Sequence, residues 1–160
     1  MKRLAIAVSI LAIGAAGCGS SSPTTPSNLT IFTVQLSAQN EVPPITNAES
    51  TGRGTAVITI NSAANTIDFN VSLNSFPAGS QANVAHIHPG AAGVNGAPLV
   101  NTGLTAGTAI VMPAGSGTFS LTGVPVSADK IAQILANPST FYFNVHTTLN
   151  PGGAIRGQLQ

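Results

Sequence analysis

The chain has three histidines, and their spacing is the feature of the sequence richest in chemistry. His86 and His88 stand in Ala85-His86-Ile87-His88, where strand alternation puts Ala85 and Ile87 on one face and both imidazoles on the other, with Cα atoms roughly 6.5 Å apart. His146 ends Phe141-Tyr142-Phe143-Asn144-Val145-His146. The aromatic face there is Phe141, Phe143 and Val145, and the polar face is Tyr142, Asn144 and His146. Both histidine-bearing faces are expected to point away from the apolar interior. A His-x-His pair on a strand, joined by a third imidazole from a neighbouring strand, makes a three-nitrogen set suited to copper or zinc with a fourth position open. The same residues also fit a plainer role, in which the imidazoles hydrogen-bond nearby loop backbone and hold the Pro89-Gly90 and Asn150-Pro151-Gly152-Gly153 turns. Both readings stay open at this level.

Other candidates are sparser. Met112 is a soft atom that either joins a copper site or simply packs at a strand end. Arg156 either anchors a carboxylate or phosphate or pairs with a loop carbonyl or an acid such as Glu41 or Glu49. Glu41 precedes Val42-Pro43-Pro44, whose prolines force an extended or turning backbone without any ligand. The chain has no Gly-x-Ser-x-Gly elbow, no phosphate-cradling loop ahead of a helix and too few carboxylates for a convincing acid and base pair. No catalytic residue is assigned.

These side chains need a β framework. Charged residues are only 6% of the chain, Gly and Pro number 17 and 11, and Trp is absent, a composition of short strands and tight turns rather than long surface helices. Alternation predicts eight strands, over 31–37, 55–61, 66–73, 82–88, 108–112, 116–122, 140–146 and 154–159. Segment 46–54 is expected to be a loop running into a strand. One short helix is predicted over 128–136, capped by Ser127, with Asp129 in its first turn and Ile131, Ile134 and Leu135 in one stripe. The expected fold is a single antiparallel Greek-key, immunoglobulin-like β-sandwich over residues 30–160.

The first residues carry a different message. Met1-Lys2-Arg3 and the apolar run Leu4 to Ala16 form a signal segment over residues 1–17, too short to cross a bilayer of roughly 30 Å as a helix. Ala15-Ala16-Gly17-Cys18 resembles the bacterial lipobox, which implies that Cys18 is acylated. Residues 18–29 are then a Ser/Pro/Thr tether. The chain is expected to be exported and anchored to a membrane by lipid, in the outer membrane if the host has two, since Gly19 rather than an acid follows the cysteine. Beyond the leader, three cationic side chains face four anionic ones, a net of −1, so no nucleic-acid partner is expected. Cys18 is the one cysteine, so packing and sheet hydrogen bonds must hold the domain together.

Four segments in order complete the reading: Leu36-Ser37-Ala38-Gln39-Asn40-Glu41-Val42-Pro43-Pro44, Gly52-Arg53-Gly54-Thr55-Ala56, Ala85-His86-Ile87-His88-Pro89-Gly90, and Asn144-Val145-His146-Thr147 with Asn150-Pro151-Gly152-Gly153-Ala154-Ile155-Arg156-Gly157-Gln158-Leu159. Together they resemble the CHRD (chordin-type) domain family. Two departures are Asn40, inserted within the usual stretch, and Ala154, where the family often has Glu. The family is named after modules of an extracellular growth-factor antagonist, so the resemblance implies a sandwich fold and an exported location more strongly than a function. The His-x-His pair also resembles, locally, the copper side of Cu/Zn superoxide dismutase, another β-sandwich. No second His and Asp cluster and no cysteine pair follow, so dismutase activity is not implied. The expected function is a cell-envelope binding module meeting a protein or glycan partner. The alternative is a copper- or zinc-binding protein using His86, His88 and His146, with redox chemistry at the open position as one form of it.

Overall fold

The computed structural model describes residues 28–160. The expected signal segment, Cys18 and nearly all of the tether lie outside the described residues. Among those described, nine strands and one α-helix follow in the order β1 (Leu29–Ser37), β2 (Arg53–Asn61), β3 (Thr66–Asn74), β4 (Ser80–Pro89), β5 (Val100–Asn101), β6 (Ile110–Met112), β7 (Gly117–Pro125), α1 (Ala128–Ala136), β8 (Phe141–Thr147) and β9 (Ile155–Gln158). Every pairing is antiparallel. Strand order along the sheet is β5-β4-β8-β9-β1-β2-β3-β7, and β6 pairs with the other end of β4.

This sheet curls until its halves face each other. The ring of Phe69 on β3 stacks on that of Phe143 on β8, with centroids 5.6 Å apart. The chain crosses between halves from β3 to β4, back from β6 to β7, and again from β7 through α1 to β8, which gives the Greek-key connectivity. Period-2 alternation drives the packing: Ile58, Ile60, Ile67, Phe69, Ala85, Ile87, Phe143, Val145 and Ile155 all point inward and are fully buried.

The one strand not expected is β5, two residues long, which carries too little sequence to show a period. The strand predicted from Thr108 begins at Ile110, because Ala106–Thr108 winds into a 3-10 turn closed by the Thr105 and Thr108 hydroxyls. The helix falls on the predicted residues, with Ile131 and Ile134 buried. Ser127 does not cap it through its hydroxyl; its carbonyl accepts from the amides of Lys130 and Ile131 instead. Among the described residues no helix is long and apolar enough to cross a membrane.

Candidate metal centre

The centre sits on the outer face of three adjacent strands. Cross-strand register places His88 opposite Tyr142 and His86 opposite Asn144 on β8, while Asn144 and Tyr142 face Arg156 and Gln158 on β9. His146 stands opposite Val84, one diagonal step from His86, a separation that imidazoles can bridge. A register shift in β4 between Ala82 and Val84 lies beside this pair. The alternation therefore puts all three imidazoles on one face, turned away from the apolar interior.

That face is not open to water. The chain segments after β1, after β4 and after β8 fold over it, and they leave His88 and His146 buried and His86 partly buried. His88 Nδ1 bonds the Gly96 carbonyl at 2.9 Å, and His146 Nδ1 bonds the Pro151 carbonyl at 2.9 Å. A carbonyl only accepts, so each Nδ1 carries the proton and each Nε2 keeps its lone pair. His146 Nε2 faces His86 Nδ1 at 3.3 Å, and His88 Nε2 is buried without a partner. One nitrogen from each of the three residues can be chosen so that all lie within 4.8 Å of one another. Tetrahedral ligation at zinc-like bond lengths needs edges of about 3.3 Å, so the widest edge must shorten by at most about 1.5 Å. Side-chain rotation covers that distance.

Burial keeps this set uncharged. Loss of solvent, reinforced by the neighbouring His146 and His88, pushes His86 down to about 4. Burial lowers His88 and His146 as well, against the opposing pull of their carbonyl bonds. Neutral imidazoles, two of them oriented by a backbone carbonyl on the far nitrogen so that Nε2 keeps its lone pair, are the state in which histidine binds a metal. The two readings left open by the sequence are thus compatible. Nδ1 does the loop bonding, and Nε2 remains available.

Around the triad is a polar shell. Gly96 ties two members together, since its amide donates to the Tyr142 hydroxyl while its carbonyl accepts from His88. A Cβ at Gly96 would lie 1.8 Å from the Pro89 carbonyl oxygen, so only glycine allows this approach. The His88 and Tyr142 rings stack at 4.9 Å, 4° from parallel, and Arg156 comes from β9 to place its guanidinium carbon 4.5 Å from the Tyr142 ring centre.

Arg156 itself is 2% exposed; it donates to the Asn40 carbonyl and to Asn95 Oδ1, both at 2.7 Å, with Glu41 Oε2 at 3.9 Å. It therefore pairs with a loop carbonyl and with an acid. Burial pushes the Glu41 carboxyl up to about 7, more than offsetting the pull of Arg156 and a hydrogen bond from Asn144. Glu49 is buried too, accepting from the Thr147 hydroxyl at 2.5 Å and from Asn150 Nδ2 at 2.6 Å, which fixes the turn that presents Pro151 to His146. Met112 is not near the centre. It is buried at the far end of β4, paired with Ser80, six residues and about 20 Å of strand from His86.

Tyr142, Asn144 and Gly96 were not singled out from the sequence as parts of a site, and Glu49 was named only as a partner for Arg156, which pairs with Glu41 instead. For Tyr142 and Asn144 a signal existed, because they share the alternating face of His146. For Gly96 and Glu49 none did, since their roles depend on loops meeting across the fold.

No curated protein and no solved structure matches the chain. The model of one family, described as the CHRD domain, matches residues 32–159, and with nearly all of the described fold covered, the chain belongs to the CHRD domain family.

Proposed function

We propose that this CHRD domain is a metal-binding module of the cell envelope, held to its membrane by a lipid on Cys18 and loaded through His86, His88 and His146. Family membership supports a binding or interaction module in general terms. The observation that carries the finer reading is the pair of imidazoles whose Nδ1 atoms are engaged by loop carbonyls, while the Nε2 of one meets His86 and that of the other has no partner among the described residues.

Copper is favoured over zinc. The cluster contains three neutral nitrogens with no thiolate or carboxylate to complete a charged tetrahedral set, and Cu²⁺ stands above Zn²⁺ in intrinsic affinity for such donors. A bound ion would supply Lewis acidity, and as copper a one-electron couple. The residues of this chain would orient the ligands and keep water from His88 and His146.

Titration of the chain with copper and zinc, beside a variant with all three histidines changed to Ala, tests this reading. One ion per chain at a Kd well below about 1 μM, lost in the variant, is expected. Binding no tighter than that, or binding that persists in the variant, overturns it. For the anchor, Cys18→Ala should move the protein from the membrane fraction to the soluble one, and unchanged partition would remove the lipid from the proposal.

A second reading has its own observation. An open cleft of about 620 Å³ runs beside β1 and β9, with the amides of Gln35, Gln39, Asn40 and Gln158 on its walls. Uncharged amides and neighbouring apolar groups suit a neutral glycan or a peptide backbone. If a glycan panel is captured equally by the native chain and the triple histidine variant, this cleft and not the metal centre is the binding site.

A further inference from the structure

The three imidazoles are held very unequally. His88 is pinned by the Gly96 carbonyl and stacked on Tyr142, and His146 is pinned by the Pro151 carbonyl. Both are buried. His86 is the partly exposed member, and its ring meets the cluster through the 3.3 Å contact with His146 Nε2 and through edge-on contacts with the two neighbouring rings at 5.1 and 5.4 Å. Among the described residues its ring has no hydrogen bond to backbone and no flat stacking partner. On one side its strand is bordered at this point by the two-residue β5, which pairs with β4 at His86 and Ile87.

Such a set is poorly built for permanent retention. A structural site closes all of its positions and fixes every ligand through a partner on its far nitrogen. Here two ligands are fixed to backbone carbonyls and buried, while the hydrogen bond of the third, His86, goes to another member of the set and not to the scaffold.

We propose that His86 is the exchangeable ligand of the centre and that the domain hands its metal ion to an acceptor carrying nitrogen or thiolate donors. The inference rests on the metal-binding reading. In the exchange, a lone pair of the acceptor forms a bond to the ion at the open position, and the bond from His86 to the ion breaks. The ion keeps its oxidation state throughout. His86 returns to free imidazole, and a thiol acceptor gives its proton to solvent before it attacks. Bonds from His88 and His146 then break in turn as further acceptor donors arrive.

The test uses the chain from residue 18 onward with Cys18→Ser, which removes the one thiol able to compete, loaded with copper(I) and mixed with bathocuproine disulfonate or glutathione in excess. The transfer rate should rise in proportion to acceptor concentration over a tenfold range. A rate independent of acceptor, with stoichiometric loading intact, means that the ion leaves on its own and overturns the hand-off while leaving the metal reading standing. Failure to load copper in either oxidation state, or zinc, sinks the metal reading itself. Independently of metal, imidazole ¹⁵N shifts of the unloaded chain should show Nδ1–H on all three histidines, and in His146→Ala only His86 should average both tautomers while His88 stays Nδ1–H. A His86 still locked in one tautomer in His146→Ala would mean that the scaffold itself holds the ring, and would count against its role as the movable ligand.

Discussion

Strands β1 and β8 belong to the same curled sheet, yet they live in different surroundings. Along β1 the inward residues Phe32, Val34 and Leu36 are buried while Ile31, Thr33 and Gln35 face water. All seven residues of β8 are buried. Outward side chains in the β1–β3–β7 half bond sideways to one another, as Thr55 does to Gln35 and Ser120 to Asn70. Those on β4, β8 and β9 lie under folded segments and meet carbonyls and carboxylates from above. The buried side-chain atoms without a partner, Glu41 Oε1, His88 Nε2, Asn144 Oδ1 and Arg156 Nη2, all fall in this covered half. A polar sheet face becomes a chemical site where loops strip its water, because desolvation is what keeps the imidazoles neutral and makes an unmatched polar atom costly.

The shared core is where both halves can be broken at once. Phe143→Ala empties the stack against Phe69 and should cost about 3–5 kcal/mol in denaturant unfolding. A loss under about 1 kcal/mol would mean that the two halves do not depend on this contact. Gly153→Ala strikes the covered half alone. Its φ is +134°, and a Cβ there would lie 2.6 Å from Asn144 Nδ2 and 2.8 Å from Glu41 Oε2, so a stability loss of roughly 1–3 kcal/mol is expected. Copper affinity should also fall, by about tenfold, through the displaced support of the triad. Equal affinity in the variant would separate the Glu41 cluster from the centre.

Acid should weaken the covered half through its histidines. From pH 6.5 down toward about 4, the unfolded chain takes up protons that folded His86 refuses, so stability is lost as pH falls. Glu41 acts in the opposite sense. Between about 7 and 4.5 the folded carboxyl holds a proton that the unfolded one has released, so its contribution grows as pH falls. With three lowered histidines against one raised carboxyl, melting at pH 5 should come below that at pH 7, and by more in Glu41→Gln. A Glu41→Gln variant with a shallower pH dependence would reverse the sign assigned to that carboxyl. The smallest effect belongs to the open half: Ile31→Thr, at a site 63% exposed, should change stability by no more than about 0.5 kcal/mol in the same unfolding measurement.

Much of this molecule was legible in one dimension. Alternation in Phe141–His146 and Ala85–His88 is a local property, so it showed which side chains share a face, and the stripe of Ile131 and Ile134 likewise placed α1. The two-residue β5 and the 3-10 turn at Ala106–Thr108 escaped because so few residues carry no period of their own. Which faces lie beside each other was settled only by folding, since β4 and β8 pair across more than fifty residues of intervening chain. The cover over the histidines likewise belongs to tertiary structure. Glu49 meets Thr147 and Gly96 meets His88 and Tyr142 because hydrogen bonds between distant loops form once the sheet has curled, and no spacing along the sequence encodes such a meeting.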